Sequence, residues 1–323
     1  MQARTLRVLL AVALSLPISN GAFAQAYPSK PVTVIVPFAA GGTNDIVARI
    51  VAQELSGSLG KQVIVENRTG GGGVIGWGAA ARAAPDGHTL LADDMSFAIA
   101  AALLPKLPFD PKKDFAQISI AATVPFVMVV HPSVAAKTVS EFIALAKAKP
   151  GTLNYGSGGN GTNTHLGAEL FRSLTGADIV HVPYKGSAQA LQDLLGGQIQ
   201  VAFVAVPTAL AHIKSGKLRP LMVTSDKRVA ALPDVPSAAE AGVPKMVVEY
   251  WVGFAAPAKT PPEILDRLNK EIVAALGKPE AKQRFAEQGL AAVGNTPAQA
   301  TKFVDDEITR WGALIKAANI KPD

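Results

Sequence analysis

The stretch Val32-Thr-Val-Ile-Val-Pro37-Phe-Ala-Ala-Gly41-Gly42-Thr43-Asn44-Asp45, followed by Ile46-Val-Ala-Arg49-Ile50-Val51, decides the fold. Val32 to Val36 is a short apolar run rich in β-branched residues, the pattern of a buried strand. Pro37 stops it. Gly41 and Gly42 permit a tight turn and leave the backbone bare. Thr43, Asn44 and Asp45 are all good N-cap residues, with Asp45 expected to cap. Beyond them Ile46, Val47, Ile50 and Val51 fall on one helical face. A strand that runs through a glycine turn into a helix N-terminus places free N–H groups and the positive end of the helix dipole together. Such a turn suits an anion.

A second unit of this kind lies further on. Leu153-Asn154-Tyr155 reads as a strand, Gly156-Ser-Gly-Gly-Asn-Gly-Thr-Asn163 as a glycine loop, and Thr164 to Leu174 as the following helix. Strands and helices alternate along the chain with no long antiparallel run, which predicts mainly parallel sheets flanked by helices. Strands are expected at Gln62–Glu66, Thr89–Ala92, Gln117–Thr123, Phe126–Val130, Ile179–Pro183, Gln200–Val204, Arg219–Thr224 and Val247–Ala255. Pro125 is expected to break the pair at its middle. The segment near Pro125 reads as a crossing to a second lobe and Val247–Ala255 as the return. The expected division is 1–24 leader, 25–124 plus 247–323 lobe 1, and 125–246 lobe 2. Two crossings between two α/β lobes give a hinged clamshell.

Residues 1–24 carry Arg4 and Arg7, then the apolar stretch Leu9 to Leu16, then Ala22-Phe23-Ala24. That is the order of a secretory leader, expected to be cleaved after Ala24 on export to a periplasm. The remaining chain has 29 basic and 25 acidic residues, a mild +4. It lacks basic runs interleaved with aromatics, so nucleic acid is not an expected partner. Cysteine is absent. That excludes disulfides, thiol catalysis and a lipidated-cysteine anchor.

Two stretches match G-x-G-x-x-G, at Gly156/Gly158/Gly161 and Gly71/Gly73/Gly76, but the features a dinucleotide fold also needs are incomplete. No P-loop and no nucleophile elbow occurs. Ser157 with His165 is the nearest approach to a hydrolase pairing. His181 reads as a satisfied core group, and Asp93-Asp94 as solvated acids at a strand end. No cofactor and no metal are expected.

Taken together and in order, several stretches resemble the periplasmic receptors of tripartite tricarboxylate transporters, the Bug-type solute-binding proteins. They are Val36-Pro-Phe-Ala-Ala-Gly-Gly-Thr-Asn-Asp45, Val65-Glu-Asn-Arg68, Pro85-Asp-Gly-His-Thr-Leu-Leu91, Gly156-Ser-Gly-Gly-Asn-Gly-Thr162, His181-Val-Pro-Tyr-Lys-Gly186 and Leu232-Pro-Asp-Val-Pro236. The resemblance implies a two-lobed α/β clamshell closing on an organic acid, one carboxylate held by the loops at 38–45 and 156–165, partly through waters. It also implies delivery to a two-part membrane permease. The receptor is expected to be a monomer. The residues expected at the ligand are Phe38, Ala39, Gly41, Gly42, Thr43, Asn44, Asp45, Met95, Ser96, Ser157, Gly158, Asn160, Gly161, Thr162, Asn163, His165, Tyr184, Val204 and Trp251. Many relatives carry Asp-Asn where this chain has Val204-Ala205. The loss of that polar group points to a mono- or dicarboxylate with an apolar middle, because an unpaired polar ligand group would be buried there at about 1–3 kcal/mol. An exported hydrolase and a soluble sensor for a membrane kinase are the alternatives.

Overall fold

The computed structural model describes residues 27–184 and 186–322. The expected leader and its cleavage site lie outside them. The elements begin with β1 (Val32–Val36), α1 (Thr43–Leu59), β2 (Val63–Asn67), α2 (Val74–Ala81), β3 (Thr89–Asp94) and α3 (Met95–Leu103). Next come β4 (Phe115–Val130), α4 (Val139–Ala148), β5 (Leu153–Ser157), α5 (Asn163–Thr175), β6 (Ile179–Pro183), α6 (Ser187–Leu195), β7 (Val201–Ala205), α7 (Val206–Lys214) and β8 (Arg219–Val223). The chain closes with β9 (Glu249–Pro257), α8 (Pro262–Gly277), α9 (Pro279–Glu287), β10 (Ala291–Ala292) and α10 (Pro297–Ala317).

The strand order is β2-β1-β3-β9-β4-β7-β5-β6, with β8 and β10 also on β4. The outer strands are parallel, as the alternation of elements predicts: β1 with β2 and β3, and β5 with β6 and β7. The centre is not. β9 runs antiparallel to both β3 and β4, and β7 and β8 run antiparallel to β4. Residues far apart in sequence form these ladders, so local alternation does not reveal them.

β4 is one strand of 16 residues, where a break at Pro125 is expected from the sequence. Its first part pairs with β9 as far as Pro125↔Glu249, and its second pairs with β7 from Phe126↔Ala205. Pro125 therefore stands at the changeover between two sheets, where a missing N–H disturbs neither ladder's interior. Two α/β lobes share this strand.

The return passes the same point. Thr224 is fully buried. Its hydroxyl accepts from Phe126 N at 2.9 Å and donates to Val248 O at 2.6 Å, while its own N–H and C=O bond Phe126 O and Val248 N at 2.8 and 3.0 Å. One threonine thus ties the outgoing and returning segments together.

The core is continuous. Around β1 it is built from Val32, Val34, Ile35 and Val36 against Val47, Val51 and Leu55 of α1, all at most 1% exposed. α10 packs on α3 and β4. Its start is held by a capping box between Thr296 and Gln299. Buried Glu307 accepts both indole N–H groups, from Trp251 at 3.2 Å and Trp311 at 2.8 Å.

Candidate functional site

The first glycine turn carries β1 into α1. Gly42, not Thr43, Asn44 or Asp45, is the N-cap, and no side chain caps the helix. The three polar residues occupy the first turn and are buried. Gly41 adopts φ 84°, the left-handed region that glycine tolerates. Asp45 reaches back to accept Gly41 N–H, and also accepts from Arg49 Nε and Asn67 Nδ2, each at 2.9 Å. Burial works against its charge, but these donors outweigh it and hold the carboxyl below the usual range. Asp45 therefore braces the turn. Asn67 completes the brace through Phe38 O at 2.9 Å. The leading N–H groups of α1 have no partner within a helix and receive no side-chain cap.

Asn44 is buried beneath this mouth. Its Nδ2 donates to Ala92 O and Asp94 Oδ2, each at 3.0 Å. Asp94 also takes Ser96 N–H at 2.8 Å as the cap of α3 and the Tyr250 hydroxyl at 2.5 Å. Neither Asp93 nor Asp94 is solvated, contrary to the reading of their sequence: both are 0% exposed.

The second loop is built differently. Gly158 N–H donates to Thr164 Oγ1 at 2.9 Å, Gly159 N–H to Ser157 Oγ at 3.1 Å, and Gly161 N–H to His165 Nδ1 at 3.0 Å. Thr162 caps α5 and donates to Gly159 O at 2.7 Å. The bare amides expected here are taken up by the loop's own side chains, so the dipole argument applies to the first loop in a way it does not to the second. Asn163 accepts from Thr164 N–H at 2.7 Å through Oδ1. Asn160 lies on the same turn.

Below the loop, Tyr155, His181 and His165 stack, with ring centroids 4.8 Å and 4.1 Å apart in that order. Ser157 Oγ lies 2.6 Å from His181 Nε2, so its imidazole partner is His181 and not the expected His165. His181 is half-buried in this stack rather than sealed in the core. Glu169 anchors the far side, accepting Tyr155 OH at 2.5 Å and Arg172 at 2.7 Å. Burial opposes its charge, and those two donors prevail, lowering its pKa.

The two loops lie where the lobes meet. Thr43 and Thr208, at the starts of α1 and α7, bring their hydroxyls to 3.4 Å. α7 also begins without a side-chain cap. Leu103, ending α3, packs directly on Gly161, where a Cβ would lie 2.0 Å from its Cδ2. No sequence pattern marks Leu103 as a neighbour of the second loop, and Pro207, a helix-start signal, is the clue to Thr208. Tyr184 lies beside the second loop, but its hydroxyl is used by Asp193 at 2.8 Å.

The apolar candidates divide. Phe38 and Tyr184 are half-buried. Val204 is 3% exposed within β7, Met95 is 0% exposed, and Trp251 is 0% exposed with its indole on Glu307. Trp251 is corrected to a core residue between β9 and α10, because both its ring, against Phe303, and its N–H are occupied there. Ala39, an exposed residue, sits at the tip of the first turn. A cavity of about 420 Å³ opens elsewhere, beside the crossings, lined by Thr123, Pro125, Asp226, Glu249 and Leu290 among others, and shares no residue with either loop.

Two α/β lobes joined by paired crossings, with glycine turns at their junction, define a periplasmic-binding-protein clamshell. Residues 47–320 match the family described as tripartite tricarboxylate transporter family receptor, and the chain belongs to it. It is 40% identical over 300 residues to Protein BugT of Bordetella pertussis, covering 92% of each. Two solved structures share the fold. One is R. palustris Rpa4515 with adipate (TM-score 0.87, 35% identity, 92% of this chain and 100% of that one). The other is the periplasmic binding protein BugD (TM-score 0.85, 33% identity, 92% and 100%).

Proposed function

We propose that this periplasmic receptor captures a small mono- or dicarboxylate with an apolar middle and hands it to a two-part membrane permease, acting as a monomer and without catalysis. The observation that carries the reading is the mouth of α1: uncapped, braced by Asp45 and Asn67, and facing the other lobe at Thr208. A carboxylate there gains about 0.3–2 kcal/mol from the helix dipole and further stabilisation from charge-assisted hydrogen bonds. Micromolar affinity requires roughly 8 kcal/mol, which such an anchor and the desolvation of a short methylene chain can supply jointly. The adipate found with Rpa4515 is a ligand of this kind. Val204-Ala205 supports it further, since β7 offers no charged or amide side chain at that point. We place the lobes at 25–124 plus 247–323 and at 125–246, meeting at the Thr224 tie.

Thermal-shift and calorimetric titrations test this. Adipate and shorter or aromatic carboxylates are expected to raise the melting temperature with stoichiometric binding and no turnover, while zwitterionic amino acids and citrate bind more weakly. A panel of such acids at millimolar concentration that leaves the melting temperature unmoved would contradict the proposal.

A further inference from the structure

Three donors converge on one buried carboxylate from three separate elements. Asp94, at the end of β3, is 0% exposed. Its Oδ1 takes the N–H of Ser96 at 2.8 Å, as any helix-capping aspartate would. Its Oδ2 takes the Asn44 amide at 3.0 Å and the Tyr250 hydroxyl at 2.5 Å. Capping α3 accounts for the first contact but not for the other two.

The placement of the two partners matters. Asn44 is in the first turn of α1, and both hydrogens of its amide are held, by Ala92 O and Asp94. Its side chain therefore fixes the rotation of that turn relative to β3. Tyr250 is 5% exposed and lies at the start of β9, opposite Val124. Its ring stands 6.3 Å from that of Phe126, the first residue of β4 past the Pro125 changeover. Phe126 N and Val248 O are both bonded to the Thr224 hydroxyl. Asn44, Asp94 and Tyr250 are thus hydrogen-bonded in series from the α1 mouth, and the Tyr250 ring contact carries the path on to Phe126 and the paired segments that join the lobes.

We infer that Asp94 and Tyr250 are positioning residues: through Asn44 they hold the first turn of α1, and hence its ligand-facing amides, in register with the crossing strands. The link to ligand capture rests on the proposed function, whereas the positioning itself does not. Removing the phenol leaves the buried Asp94 carboxyl without one of its three donors, so the carboxyl is held less firmly and the hold on Asn44 loosens at a distance. The ring of Tyr250 keeps its packing in a phenylalanine.

The test compares Tyr250→Phe with wild type by hydrogen–deuterium exchange of peptides covering residues 40–47 and by calorimetry with adipate. Ile272→Val, a core change in α8 that removes no hydrogen bond of this path, is the control for general loss of stability. Tyr250→Phe is expected to speed exchange at residues 42–46 about fivefold and to weaken adipate binding roughly tenfold, with Ile272→Val changing neither. Asp94→Asn is expected to act in the same direction, and adding Tyr250→Phe to it should bring little further loss, because both changes break one path. Exchange and affinity equal to wild type in Tyr250→Phe, matched by Ile272→Val, or additive with Asp94→Asn overturn the inference. If wild type binds no carboxylate, the proposed function fails, and the exchange comparison alone still decides whether Tyr250 positions α1.

Discussion

Asp93 shows how a single group can set a pH dependence. It is fully buried, and its Oδ2 accepts from Gln117 Nε2 at 2.9 Å. Its Oδ1 and Gln117 Oε1 are both buried without a partner among the described residues. Gly253 makes room for it, since a Cβ there would lie 2.7 Å from Oδ1. Burial pushes the Asp93 carboxyl up to about 7, with the neighbouring Asp94 charge adding to the rise and the Gln117 bond opposing it. A proton on the carboxyl removes a buried charge that, among the described side chains, has only the Gln117 amide to stabilise it. The sign follows from a native pKa above the unfolded one: there is no penalty below the unfolded carboxylate range, and stability falls as pH rises from there through about 7. Asp93→Asn, which carries amide hydrogens in place of that proton, is expected to raise the melting temperature more at pH 8 than at pH 5. Melting curves that shift equally at both pH values would show Asp93 is already charged in the native state. The polar letters at this strand end gave no warning of burial. The tyrosine that engages Asp94 is 156 residues away, and sequence neighbours cannot report a partner at that distance. The same limit explains Thr43 and Asn44, whose composition suits an N-cap but whose side chains are called inward by Ala92, Asp94 and Thr208.

At the scale of elements, the parallel units were legible because each is local. The run Val32–Val36, the glycine turn and the apolar stripe of α1 sit within a few turns of one another, and β6 follows its predicted limits, Ile179–Pro183. β4 was not legible, since a proline inside an apolar run reads as a break unless the changeover between two sheets is known. α3 was missed because Met95-Ser-Phe-Ala-Ile-Ala-Ala-Ala-Leu103 is apolar on every face, as suits a helix covered by both its sheet and α10. The crossing elements make their own prediction. Thr224→Val keeps the shape but removes the acceptor for Phe126 N and the donor to Val248 O. It is expected to cost about 1–3 kcal/mol of unfolding free energy, read by denaturant titration. A loss within error of zero would mean that the crossing segments hold together without the hydroxyl.

For the molecule as a whole, the proposed function depends on two lobes that meet at their loops. Thr43 and Thr208 lie close enough for a cross-link, with hydroxyls 3.4 Å apart, and no native cysteine would interfere. The double substitution Thr43→Cys and Thr208→Cys is expected to form an intramolecular disulfide on mild oxidation. The oxidised form should exchange ligand roughly tenfold or more slowly, because entry requires the lobes to part, and reduction should restore the rate. Failure to cross-link, or cross-linking only between molecules, would mean that α1 and α7 do not meet in solution. Family membership was readable from motif order, but the asymmetry between the loops was not: both are glycine-rich, yet the first fills one glycine amide, through Asp45, and the second fills three, through Ser157, Thr164 and His165.

The most direct measurement is a crystal structure with adipate bound. The account predicts one carboxylate against the N–H groups of Thr43 and Asn44 at the mouth of α1, with the methylene chain passing towards α7 and Val204. Adipate held away from α1, for instance in the cavity beside Glu249, would contradict it.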